Sequence, residues 1–399
     1  MPTAQPPTAP AAVRLVELDG LRGLAAGVVL LHHMLLLLPT LAEVGAHPGV
    51  VPSGTLEQVL VRTPLHLLWA GHEAVLIFYV LSGVALVFPV ARRHAQGRRF
   101  DWVDYAPRRV IRLWVPAAAS TLLTVGTILL VPRSTDPALG AWITQGHPPG
   151  LSAAALARQL LLLPKHAYHN TVLWSLHAEA VFSILLPLVI LVVALAARWR
   201  AWWLPIIVAL AVPPITGSLA TGTYLPVFII GASLGWHWGH APSLLPRAPA
   251  RWANAAAAAC LITMTAAWWP GMEGQAAQRL AACLTLVSAT ALVILVVRAG
   301  AMRGLLRNRG VQYLGGMSFS LYLVHEPVVV TLRLATASLS PWWALVAAPL
   351  VAAPLTWMFQ RWIEAPSHRL SRRAGRWTSS RLQARLQART HAHSADSRA

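Results

Sequence analysis

The chain has 399 residues, of which 56% are hydrophobic and only 11% charged. Soluble domains carry about 25% charged residues, so this balance excludes an ordinary soluble fold and points to a chain that crosses a membrane several times. The net charge of +19 would suggest nucleic acid for a soluble domain; here it is read against membrane sidedness, and no nucleic-acid partner is expected.

Long apolar runs predict an all-α, polytopic membrane bundle of about ten transmembrane helices, near 21–39, 73–90, 110–132, 172–195, 202–218, 222–238, 254–269, 279–297, 316–337 and 342–360. With the N-terminus in the cytoplasm, 26 of the 32 basic residues fall on the inner side, so an N-in, C-in arrangement is expected. Residues 1–14 are rich in Pro and Ala and lack a basic n-region. They are expected to form a disordered lead rather than a cleaved signal. Cys260 and Cys283 lie in apolar runs and read as small core residues. No disulfide framework, metal site or bound cofactor is expected.

The first span, LRGLAAGVVLLHHMLLLL, carries Arg22 and His33 eleven residues apart. That spacing returns them to within about 20° of one helix face and separates them by about 16 Å along the axis, whereas His32 points about 80° away. An ionisable residue kept inside a span marks a functional site by default. Residues 40–71 are long enough to fold over the outer mouth of a bundle. In the second span, Ser82 and Gly83 offer a close helix contact, and His72 and Glu73 at its outer entrance are expected to be solvated. Arg109 and Arg112 stand at i and i+3 where the third span begins, suited to ligand phosphates. The outer segment 133–171 contains LSAAALARQLLLLP, too short to span and read as an interfacial helix. Span four buries Glu179, which needs a cation, imidazole or ligand hydroxyl as partner. In span nine Ser318, Tyr322 and His325 follow i, i+4, i+7 on one stripe, either a reactive set or polar glue between helices. RWIEAPSHRL closes the last span, with Arg361 and Glu364 expected as an interfacial ion pair. Beyond it Arg381, Arg385 and Arg389 form a basic stripe, read as a short helix on an acidic leaflet or a solvated tail.

Together, DGLRGLAAGVVLLHH, AVLIFYVLSG, RRVIRLW, LWSLHAEAVF, FIIGASLGW, SFSLYLVHEP and RWIEAPSHR resemble, in order and spacing, the acyltransferase 3 family of integral membrane acyltransferases. The resemblance runs from about residue 15 to 370. It implies a transmembrane domain over 15–366 followed by a basic cytoplasmic tail over 367–399; the fused hydrolase-like domain found on some members is not expected, because the residues after 370 do not read as globular. It also implies transfer of an acyl group, usually acetyl from acetyl-CoA, to a carbohydrate-type hydroxyl, in the multi-pass setting of a bacterial cell membrane. The family's Arg-x10-His motif falls on Arg22 and His33, its Arg-x-x-Arg on Arg109 and Arg112, and its Trp-Ser-Leu-x-x-Glu on Trp174, Ser175, Leu176 and Glu179. Ala180, Ser183 and Glu326 depart from the family pattern and leave the acceptor open.

The reading that follows makes His33 the catalytic base. Arg22, Arg109 and Arg112 hold the phosphates of acyl-CoA, which is a substrate and not a resident cofactor. Glu179 orients His33 or polarises the acceptor, while Trp174, Ser318, Tyr322 and His325 contact the acceptor or the oxyanion. The partners are acyl-CoA, a hydroxyl-bearing glycan or glycoside, and membrane lipids. The alternative is a proton-coupled exporter built on the same intramembrane His, Glu and Arg residues.

Overall fold

A computed structural model describes residues 15–46, 56–147, 149–163, 169–216, 224–241, 249–297 and 300–396. The expected N-terminal lead, Lys165 and the link at Gly222 lie outside the described residues. All regular structure among the described residues is helical. The chain begins with α1 (Val16–Leu35), α2 (Pro39–Ala46), α3 (Leu56–Arg62) and a 3-10 turn (Pro64–Trp69). It continues through α4 (Gly71–Ala95), α5 (Trp102–Leu130), α6 (Ala141–Gly146), α7 (Ala153–Leu160) and α8 (Leu173–Arg198). The second half holds α9 (Leu204–Thr216), α10 (Tyr224–His240), α11 (Ala250–Thr263), α12 (Gln275–Leu295) and α13 (Gly300–Leu306). It ends with α14 (Arg309–Ala335), α15 (Pro341–Phe359) and α16 (Ala365–Asp396).

A helix overlies each of the ten expected spans. Among the described residues, five runs are long and apolar enough to cross a membrane: α4, α5, α8, α12 and the stretch Pro341–Gln387 that contains α15. The others differ for physical reasons. α9 has 13 residues and α11 has 14, so at about 1.5 Å per residue each reaches only about 20 Å. α1 and α14 are long enough but interrupt their apolar faces with the ionisable and polar residues described below.

Two glycine contacts set the helix spacing. A Cβ on Gly231 of α10 would lie 2.0 Å from the Val80 carbonyl oxygen of α4, and one on Gly83 would lie 2.3 Å from the Phe228 oxygen. Gly83 thus makes the close approach expected of it, and α4 and α10 form the most extensive helix pair. In the same way a Cβ on Gly23 of α1 would lie 2.5 Å from the Gly315 nitrogen of α14. Small residues at such crossings let backbones meet where lipid supplies no hydrophobic drive. Gly231→Ala is therefore expected to destabilise the bundle by about 1–3 kcal/mol, the usual range for overpacking. Gly126→Ala is the control, because nothing lies within 4 Å of the added carbon. Thermal unfolding in detergent reads both, and equal melting temperatures would refute the spacing argument.

The C-terminal region departs from expectation. Between α15 and α16 the helix widens into a π turn at Gln360–Glu364. The wider turn shifts i and i+3 off a common face, so Arg361 stays exposed and Glu364 turns inward to accept from Ser320 Oγ at 2.5 Å. The expected Arg361–Glu364 pair does not form. The helix that carries the basic stripe is longer than expected: α16 runs on from the turn and docks along α5 through Thr378 and Ser379. Thr378 Oγ1 donates to the Val103 carbonyl at 3.2 Å, and Ser379 Oγ donates to Asp101 Oδ2 at 2.5 Å. Asp101 also caps α5 by accepting from the Asp104 amide. The Ser379 hydroxyl, with that amide, holds the Asp101 carboxyl below its ordinary range.

Candidate active site

α1, α4, α5, α8 and α14 enclose a cavity of about 350 Å³. Arg22 enters it from α1, Arg109 and Arg112 from α5, Ser175 and Glu179 from α8, and Ser318 and Tyr322 from α14. The three arginines, separated by up to 90 positions in sequence, thus line one space. Arg109 is already engaged: its NH2 donates to Glu179 Oε1 at 2.5 Å and its Nε to Ser183 Oγ at 2.8 Å. Arg22 and Arg112 make no hydrogen bond or ion pair among the described residues, so they are the cations left to meet an anion. Asp19, Glu364 and His368 complete the polar lining.

At the far end of the cavity Tyr322 OH meets Ser175 Oγ at 2.6 Å and the Val172 carbonyl at 3.2 Å. One turn further along α14 lies an imidazole pair. His325 Nε2 and His33 Nδ1 are 3.0 Å apart, and the Tyr322 and His325 ring centroids are 5.8 Å apart. His325 is 1% exposed, whereas His33 is partly accessible. The close α1–α14 crossing at Gly23 and Gly315 brings these two histidines together, two to three turns from the crossing point.

The described residues of the segment 133–171 fold over this end. Trp142 of α6 packs on the His33 ring at 5.3 Å. His147 ties it down, lying 3.0 Å through Nδ1 from the Trp142 carbonyl and 2.6 Å through Nε2 from Glu326 Oε1. Glu326 also accepts from Thr171 N at 3.0 Å, Thr171 Oγ1 at 2.6 Å and Val172 N at 2.7 Å. One carboxylate thereby joins α14, the start of α8 and the covering segment. The helix expected within this segment is α7, capped by Ser152, and its Gln159 donates to Thr121 of α5 at 3.0 Å.

Arg22, Arg109, Arg112, Glu179, Ser318 and Tyr322 come together at the cavity, and His33 and His325 form the pair beyond it. Glu179 pairs with Arg109 on the neighbouring helix and makes no hydrogen bond to His33 among the described residues. The carboxylate nearest the pair in sequence is Glu326, which follows His325 on α14. Trp174 stands in an aromatic cluster with Tyr79 and Tyr224, at 6.3 and 5.0 Å. His32 flanks the pair and stays outside the cavity lining: its ring meets His33 edge-on at 5.2 Å, its Nδ1 donates to the Trp69 carbonyl at 2.8 Å and its other face stacks on Trp69. Glu73 is not solvated; it is 4% exposed and accepts from Trp268 Nε1 at 3.4 Å. Beside it His66 is sandwiched between Trp69 and Trp268, and burial holds its imidazole down to about 3.

Sequence reasoning missed Glu326, His147, Trp142 and the inward Glu364. Glu326 was within reach, since the rule that singles out Glu179 as an intramembrane carboxylate applies to it equally. His147 and Trp142 lie in a segment without periodicity and carry no local signal.

Compared with known proteins, residues 15–361 match the family model described as an acyltransferase domain, that of the acyltransferase 3 family. No curated protein and no solved structure matches the chain.

Proposed function

The chain belongs to the acyltransferase 3 family and is a membrane acyltransferase; from this premise we propose that it moves an acyl group, typically acetyl, from acyl-CoA to a hydroxyl of a carbohydrate-type acceptor in a bacterial cell membrane. The acceptor class is an envelope glycan or the sugar of a secondary metabolite. The observation that carries this reading is an arginine-lined cavity whose Tyr322 stands one turn of α14 from the His33–His325 pair.

Arg22 and Arg112 take the charged end of the donor, with Arg109 beside them. About 16 Å of helix separates Arg22 from His33, a depth that an extended pantetheine arm bridges. Displacement of the Tyr322–Ser175 contact opens the way from cavity to imidazole. His33 takes the proton of the acceptor hydroxyl as its oxygen bonds to the thioester carbonyl carbon. The carbonyl becomes an oxyanion, for which the Tyr322 hydroxyl is a donor within the site. Collapse breaks the C–S bond, and the leaving thiolate takes the proton from the imidazolium. One ester forms, one thioester breaks, and no redox partner is needed.

Donor and acceptor thus approach from opposite ends of the bundle, which oriented vesicles test. Acyl-CoA added only at the cytoplasmic face is expected to acylate an impermeant glycoside sealed on the other side, while intact coenzyme A remains where it was added. Transfer only when both substrates share one face would refute the opposed approach. Transport of an unmodified solute without acyl transfer would favour the exporter.

A further inference from the structure

We propose that His325 is a positioning residue that sets the tautomer and ring orientation of His33, leaving His33 Nε2 as the proton acceptor. The inference rests on the acyl-transfer reading for its catalytic consequence, but its geometry stands on hydrogen bonds alone. His325 Nδ1 lies 2.9 Å from the Leu321 carbonyl oxygen, which can only accept. The proton of neutral His325 is therefore on Nδ1, and its Nε2 carries a lone pair. That lone pair faces His33 Nδ1 at 3.0 Å. His33 Nδ1 also faces the Val29 carbonyl oxygen at 3.0 Å. Both neighbours of His33 Nδ1 are acceptors, so His33 carries its proton there and its Nε2 is bare.

Two consequences separate His325 from the other stripe residues. It cannot stabilise an oxyanion, because the nitrogen directed toward the site has no proton to donate. It does act when His33 becomes an imidazolium: the Nδ1–H···Nε2 bond then becomes charge-assisted and roughly twice as strong, so it favours the protonated intermediate over the resting state. The neighbouring Glu326, fixed by His147, Thr171 and Val172, keeps His325 in register on α14.

The test combines a spectrum with two substitutions. In protein labelled with 15N-histidine, nitrogen NMR is expected to show His33 protonated at Nδ1 and bare at Nε2, with a scalar coupling to His325 Nε2 across the bond. His325→Gln keeps an acceptor oxygen near the lost nitrogen, while His325→Leu keeps bulk without an acceptor. The Leu variant is expected to lose about 30- to 100-fold in kcat and the Gln variant less than about 10-fold, with donor KM within about twofold in both. Equal losses in the two would assign His325 to packing, and a His33 protonated at Nε2 would overturn the proposal outright. Should the wild type transfer no acyl group, the functional reading fails while the spectrum still decides the tautomer.

Discussion

His33→Ala is expected to reduce acyl transfer by about 10²- to 10⁴-fold, the range a general base contributes, while leaving insertion and acyl-CoA binding intact. The neighbouring His32→Ala is expected to keep kcat within a few-fold. The difference follows from what the two rings touch. His33 is partly accessible beside His325 and beneath Trp142. His32 is spent on Trp69 and fills the space against Gly71, where an added Cβ would fall 2.5 Å from its ring. Loss of that ring leaves a cavity and an unmet carbonyl, so His32→Ala should lower stability by about 2–3 kcal/mol instead. Steady-state rates and thermal unfolding, measured on both variants, separate the two effects. Equal catalytic losses would remove His33 from the role of base.

Arg112→Ala is expected to raise donor KM by about 10- to 100-fold with little change in acceptor KM, as removal of a charge-assisted contact of about 1.5–3 kcal/mol requires. Lys should replace it poorly where a guanidinium fork meets phosphate. Arg109→Ala should be worse than Arg112→Ala for a different reason. It strips Glu179 of its cation and leaves a carboxylate in the cavity to repel the donor. Adding Glu179→Gln to Arg109→Ala should then recover part of the lost donor affinity. A double variant no better than Arg109→Ala alone would show that Glu179 acts elsewhere. Coenzyme A lacking its 3′-phosphate supplies an independent check: its penalty should shrink in the arginine variants.

These expectations show how far the chain can be read unaided. Helical periodicity is local, so the shared face of Arg22 and His33 and the stripe Ser318, Tyr322, His325 were legible before any packing was known. Partner choice is not local. Glu179 could be seen to need a partner, but the identity of Arg109 depends on α5 lying against α8. Glu73 sits at a helix start and reads as solvated until Trp268, almost 200 positions later, covers it. Glu326 sat next to the very histidine that was noticed, yet as a departure from a motif it was read as a difference in specificity instead of as the clasp of the covering segment. The π turn has no sequence signature at all, and with it the inward turn of Glu364 was out of reach.

That turn has one more implication. A helix continued through Gln360–Glu364 converts a count of residues into an angle, each residue added or removed turning everything downstream by roughly 100°. Thr378 and Ser379 meet α5 because the tally from Phe359 comes out right. The dock of α16 is therefore indexed by length: side chains along this stretch can drift without moving it, whereas a single insertion would point the whole terminal helix elsewhere.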